Sequence, residues 1–169
     1  REALLGRNRA ILQSILEQLT AVNRDAVLLV VSNPVDVLTG YTLELSGFPA
    51  ERVIGSGTVL DTARIKCLLG EKLGVDSRNV HAFMGEHGDS EVAVWSSANI
   101  SGADLDDFCL AAGIDDPESM LASLAREVTH AAYDIIERKG ATCYGIAMAV
   151  RRIAEAIIRD EHAVLPVST

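Results

Sequence analysis

Six consecutive apolar residues, Ala26-Val27-Leu28-Leu29-Val30-Val31, run directly into Ser32-Asn33-Pro34, and no other feature constrains the chain as much. A strand that is apolar at every position has both faces covered, as parallel strands inside an α/β sheet do. Proline cannot donate to the ladder, so the strand must stop there. On either side the pattern is helical. Residues 1–20 carry Ile11, Leu12, Ile15, Leu16 and Leu19 at three- and four-residue steps. Residues 35–46 read as a second helix closed by Gly47, and 52–54 as a short strand ended by Gly55-Ser56-Gly57. Helix, strand, helix, strand in this order suggests the second half of a doubly wound sheet.

The character changes after residue 57. Residues 60–73 form a strong helical pattern followed by Gly74. Residues 80–84 read as a strand, 85–90 as a polar turn, and 92–95 as the second arm of a hairpin. Residues 101–116 read as loop with a short helix, 118–139 as a long helix ended by Gly140, and 144–160 as another. The last stretch, 163–169, reads as a strand cut short. The first helix opens without a clear cap and the chain does not begin with Met, so both ends read as cuts through a larger fold. These patterns divide the chain into domains at 1–57 and 58–169.

With 169 residues, about half of them hydrophobic, the chain is large enough to bury a core. A net charge of −9 with no basic run argues against nucleic-acid and anionic-membrane partners. No apolar run is long enough to span a membrane and no signal peptide is visible. The cysteines Cys67, Cys109 and Cys143 are odd in number and far apart, which fits free thiols in a reducing, cytoplasmic setting. Cys67, in an apolar helix, reads as core.

Three places carry candidate chemistry. Asp61 and Arg64 leave the same face of one helix. Their neighbours Leu60, Ile65, Leu68 and Leu69 are apolar, and charges in such company need defined partners. His87 sits in Gly-Glu-His-Gly-Asp-Ser between two apolar strands, where an imidazole serves proton transfer if a carboxylate orients it; Asp61, Asp89 and Glu86 all qualify. Asn33 closes the central strand, the edge at which open α/β sheets bind ligands. Each has a plainer reading: a surface ion pair, a solvated loop histidine, ordinary Asn-Pro turn chemistry. Thr142, after Gly140, is equally readable as a helix N-cap. His81, His87 and Asp89 fit no helical zinc motif, so a metal-dependent hydrolase is a weak alternative and no metal is expected.

Four strings are decisive together: SNPVD from Ser32, RVIGSGTVLDTAR from Arg52, GEHGDS from Gly85 and KGATCYGIA from Lys139. In order and near-spacing, over the whole chain, they resemble the lactate/malate dehydrogenase family in its bacterial L-lactate dehydrogenase branch. The resemblance implies an α/β fold: the C-terminal half of a Rossmann-type parallel sheet followed by a mixed α+β substrate domain, both truncated. It implies an oxidoreductase that interconverts L-lactate and pyruvate by hydride transfer to and from NAD, the last step of anaerobic glycolysis. His87 would be the proton donor and acceptor, Asp61 its orienter, Arg64 the anchor of the substrate carboxylate and Arg1 the group polarising the substrate carbonyl. Asn33 and Thr142 would touch substrate; Ser14, Val31, Ser32, Asn33 and Ser56 would touch NAD. The Asn33–Pro34 bond would be cis. Lys66 and His81 occupy the places of a fructose 1,6-bisphosphate effector site. The resemblance further implies a cytoplasmic homotetramer, with helices 1–20 and 60–73 in subunit contacts.

The chain departs from the family in several ways, the absence of the acidic ribose ligand and of the terminal helix among them. It has no glycine-rich phosphate loop, it lacks the loop residue that separates lactate from malate, and the stretch from His81 to His87 is one residue shorter than in most relatives. Malate dehydrogenase of the same family and a non-catalytic fragment are therefore the alternative readings, and negligible NAD-dependent turnover is expected of the chain by itself.

Overall fold

The structure is a computed structural model that describes residues 2–169, with side chains from Gly6 onward. Arg1, to which the resemblance assigns a substrate role, lies outside the described residues. The fold is α/β, dominated by helices, with one parallel and two antiparallel sheets among the described residues. The chain divides into two compact units. The first runs to Gly57 and includes Val167–Thr169; the second is Thr58–Pro166.

The first unit contains α1 (Glu2–Val22), β1 (Leu28–Val30), α2 (Val35–Ser46) and β2 (Val53–Gly55). The two strands pair in parallel, Leu28 with Val53 and Val30 with Gly55, and α2 makes the crossover. Leu16, Leu28, Phe48 and Val53 form the core, flanked by Leu12, Leu19, Leu43 and Leu45. The apolar run 26–31 shortens to three strand residues, and Val27 and Val31 are exposed. Among the described residues β1 pairs only with β2, so the ladder that would hold the whole run exists on one side alone. The Asn33–Pro34 bond is cis. The strand expected over 163–169 does not form. A single antiparallel bridge joins Gly55 to Ser168, and the Ser168 hydroxyl donates to Asp36. Pro166 has no N–H to extend such a ladder.

The second unit contains α3 (Val59–Leu73), β3 (Val80–His81), β4 (Met84–Gly85), β5 (Val92–Ala93), β6 (Asn99–Ile100), β7 (Ala103–Asp104), α4 (Leu105–Ala111), α5 (Pro117–Lys139) and α6 (Tyr144–Ile158). The strand expected over 80–84 is two strands in two sheets. β3 pairs with β6, and β4 with β5 in the register Met84–Ala93 and Gly85–Val92. The region read as loop after residue 100 hides a hairpin, β6–β7, turned by Ser101 and Gly102 at φ 50 and 90. Two-residue arms are too short to show alternation, and two positive φ values are what a tight hairpin turn demands. Asp104 ends this hairpin and caps α4, accepting from the amides of Asp106 and Asp107.

Ile65, Leu69, Val80, Met84, Ile100, Leu105, Cys109, Leu124 and Val128 build this unit's core. Cys67 is not part of it. The buried face of α3 is Asp61, Thr62, Ile65, Leu69 and Leu73, and Cys67 lies about 200° round the helix from Ile65, in solvent. Two threonines one turn apart on α3 then fix β4. The Thr58 hydroxyl donates to the carbonyl of Met84 at 2.5 Å, and the Met84 amide donates to the Thr62 hydroxyl at 3.0 Å. Both backbone groups of a buried strand residue are thus satisfied by one helix, which locks the strand leading to His87 against the helix carrying Asp61.

Thr62→Val strands the buried Met84 amide and should cost about 1–3 kcal/mol in urea unfolding. Leu69→Ala, at a side chain with no exposure, should cost about 2–5 kcal/mol. Unchanged midpoints in both variants would contradict this account of the core.

Candidate functional site

The α3 helix is the mount. Asp61 lies on its buried face, between the two threonines that hold Met84, and is 2% exposed. β4 leads from Met84 into the polar turn, where Glu86 takes a left-handed φ of 53. Such a φ strains a residue with a Cβ, and strain of this kind collects where a turn must aim its neighbour. The Glu91 amide donates to the Gly88 carbonyl at 3.0 Å and closes the turn before β5 returns. His87 Nδ1 comes to 2.7 Å from Asp61 Oδ2. Arg64 Nη1 donates to the other oxygen, Asp61 Oδ1, at 3.0 Å. The short stretch between His81 and His87 still delivers the ring to this carboxylate.

Of the three carboxylates that could orient His87, the structure selects Asp61. Asp89 accepts from the Tyr133 hydroxyl at 2.5 Å, tying the turn to α5, and Glu86 is exposed. The pairing also selects a tautomer. An ionised carboxylate only accepts, so Nδ1 carries the hydrogen that meets Asp61 Oδ2. The His87 side chain is 28% exposed and that of Arg64 20%, so both reach the edge of the buried cluster.

A fourth member, Glu91, was not singled out from the sequence. Its Oε1 is buried and has no hydrogen-bond partner among the described residues, and its Oε2 lies 3.4 Å from the Thr129 hydroxyl of α5. Burial and the negative charge of Asp61 push its carboxyl up to about 7, against the opposing pull of His87, Thr129 and Arg64. A signal was available. Glu91 shares strand parity with Ala93 and Trp95, which pack on the core, while Val92 and Val94 face outward. A carboxylate on the inward parity of a half-buried arm must answer to something inside.

The other expected residues scatter. In the first unit Val31, Ser32 and Asn33, beyond the C-terminal end of β1, line an apolar groove of about 680 Å³ with Asn8, Ile11 and Ile15 of α1. Asn8 Nδ2 donates to the Asn33 carbonyl at 3.3 Å. An apolar wall ending in exposed amide and hydroxyl groups at a strand's C-terminal edge suits a flat amide-bearing ring such as nicotinamide. No phosphate-cradling glycine loop is present in the sequence to hold the rest of a dinucleotide. Ser14 is exposed on α1, where its carbonyl accepts from Gln18. Ser56 is 4% exposed and its amide donates to the Val30 carbonyl, so it serves the strand junction rather than an open surface.

In the second unit Thr142 is exposed and is not a cap: α6 begins after Cys143, which makes no side-chain capping bond. Lys66 is partly buried on α3 and His81 exposed on β3. Among the described residues no three His, Cys, Asp or Glu side chains are grouped so as to hold a metal ion, so His81, His87 and Asp89 do not form a ligand set.

Residues 1–55 match the lactate/malate dehydrogenase NAD binding domain, and residues 58–169 the alpha/beta C-terminal domain of the same enzymes. The chain is 51% identical over 167 residues to L-lactate dehydrogenase 1 of Clostridium acetobutylicum, covering 98% of this chain and 53% of that protein. It is 54% identical over 166 residues to a probable L-lactate dehydrogenase of Schizosaccharomyces pombe, covering 98% of this chain and 50% of the relative. The crystal structure of a minor L-lactate dehydrogenase from Enterococcus mundtii superposes with a TM-score of 0.93 at 45% identity, covering all of this chain and 54% of the other. The chain therefore spans about half the length of the relatives it matches. With both domain matches in sequence order and about half of its positions identical to these enzymes, the chain belongs to the lactate/malate dehydrogenase family.

Proposed function

We propose that this chain supplies the proton-transfer and carboxylate-binding machinery of an NAD-dependent L-lactate dehydrogenase. One observation carries the reading: a single buried carboxylate, Asp61, holds His87 Nδ1 at 2.7 Å and Arg64 Nη1 at 3.0 Å on its two oxygens. Oxidising a 2-hydroxy acid means removing the hydroxyl proton while hydride leaves the same carbon. The chain's own part in this is a base at the hydroxyl and a cation at the carboxylate. His87 Nε2, the ring nitrogen opposite the Nδ1 bond to Asp61, is the base, and its protonated form returns the proton to the 2-oxo acid. Arg64 gives one nitrogen to Asp61; the rest of its planar fork takes the substrate carboxylate, a geometry that lysine cannot reproduce. Fixing both groups on one carboxylate fixes the spacing between base and anchor, which is how orientation lowers a barrier.

NAD, when bound, supplies the hydride acceptor. Val31, Ser32 and Asn33 would hold its nicotinamide end, with Ser14 and the backbone of Ser56 as further contacts. Asn33 and Thr142 would touch substrate, and Arg1 would polarise the substrate carbonyl. The relatives' printed names favour lactate and pyruvate over malate and oxaloacetate. The reading extends to a cytoplasmic homotetramer and to a fructose 1,6-bisphosphate site at Lys66 and His81. No helix among the described residues is long and apolar enough to cross a membrane.

Two experiments test the reading. By itself the chain should form negligible NADH from L-lactate, because nothing in it cradles a pyrophosphate; steady turnover would contradict this. Joined to the amino-terminal half of the Clostridium relative, it should turn over, and His87→Asn should then lower kcat by about 10²–10⁴-fold. Arg64→Lys should raise KM for pyruvate and lower kcat/KM. A His87→Asn chimera as fast as its parent would sink the assignment.

A further inference from the structure

The mechanism above makes no use of Glu91, yet no other buried carboxyl among the described residues has an oxygen left without a partner. Its mounting is firm. The backbone amide is spent on Gly88, closing the turn that carries His87, and the side chain reaches α5 at Thr129. The charged groups facing it are Asp61 and Arg64 from α3 and His87 from the turn.

The Thr129 hydroxyl has one hydrogen and two oxygens in reach: the Ala125 carbonyl at 3.1 Å and Glu91 Oε2 at 3.4 Å. Shared with the closer carbonyl, that hydrogen gives Glu91 Oε2 only a long, weak bond, too little to hold a buried charge by itself. The buried, unpartnered Oε1 agrees. A carbonyl-like oxygen tolerates such a place better than half of a carboxylate charge does. Two ionised carboxylates around one imidazole and one guanidinium would also repel, and Asp61 already holds the charge that both cations use.

We propose that Glu91 is a positioning residue that holds a proton beside the Asp61–His87–Arg64 cluster and whose ionisation is linked to the charge of the His87 ring. Protonated, it leaves the positive charge of Arg64 and His87 to an incoming anion. When it ionises, its proton goes to solvent, the new negative charge favours the imidazolium form of His87, and it competes with a substrate carboxylate for Arg64. The transition falls near neutrality, where burial and Asp61 place the Glu91 carboxyl at about 7. The linkage needs only these four side chains. Its consequence for turnover rests on the dehydrogenase reading.

Carbon-13 NMR of the glutamate carboxyls and the histidine rings, on the full chain, tests this without turnover. The Glu91 carboxyl, assigned through bonds in the unmodified protein, should titrate near pH 7, and the His87 ring signals should show an inflection at the same pH. Glu91→Gln should abolish that inflection. A Glu91 carboxyl titrating in the ordinary range near 4.5, or a His87 curve identical in both proteins, would overturn the proposal. A linked titration in the chain beside a chimera, joined to the amino-terminal half of the Clostridium relative, that shows no dehydrogenase activity would sink the enzymatic reading and leave this one standing.

Stability supplies a second readout. The unfolded chain releases this proton near 4.5 and the folded chain only near 7, so the Glu91 contribution to stability falls as pH rises between those values and is level above them. Glu91→Gln should therefore melt with the unmodified protein at pH 4 and above it at pH 8. An equal difference at both pH values would count against a buried, proton-holding Glu91.

Discussion

A buried carboxylate with an imidazole on one oxygen and a guanidinium on the other organises the second unit. Asp61 is almost fully removed from water, which would be prohibitive for an unpaired charge, and each of its oxygens has a partner, His87 on one and Arg64 on the other. Remove that carboxylate and the imidazole loses its preferred tautomer while the guanidinium loses its anchor. The backbone serves the same end. Thr58 and Thr62 flank Asp61 on α3 and satisfy both polar groups of Met84, so the strand that aims His87 and the helix that receives it are a single hydrogen-bonded piece.

Charge economy in so small a space explains why Glu91 behaves differently from Asp61. Asp61 has a nitrogen donor on each oxygen, from His87 and Arg64; among the described residues Glu91 has one weak hydroxyl contact and one oxygen without a partner. Two carboxyls stand in unlike surroundings: Asp61 meets a donor on each oxygen, and burial beside that carboxylate pushes Glu91 up to about 7. Their different roles follow from where β5 and α3 place them rather than from residue type.

Periodicity made the helices readable. α2 spans the residues that the apolar pattern marks, and α3, α5 and α6 differ from it by one or two residues at an end. Periodicity was weaker where elements are short. The break between β3 and β4, the β6–β7 hairpin and the single Gly55–Ser168 bridge all involve runs of one or two residues, too few to show a period of two. Cys67 was misplaced because an apolar-looking helix was read as uniformly buried. The side of α3 that faces the core is set by Ile65 and Leu69, and Cys67 falls on the other side. That Ser56 is buried, with its amide bonded to the Val30 carbonyl, was not legible in the sequence either.

Residue order alone determined the α/β class, the helices and the family, because apolar period and short motifs are local properties that survive without coordinates. It brought Asp61 and Arg64 to one helix face by their spacing of three. It could not say which of Asp61, Asp89 and Glu86 meets His87, since that depends on a hairpin register and on two hydroxyls clamping one strand residue, contacts that span more than twenty positions. Nor could it show that Glu91, on the inward parity of its strand, is left with one oxygen bare. Desolvation is a property of the packed environment, and only the folded chain has one.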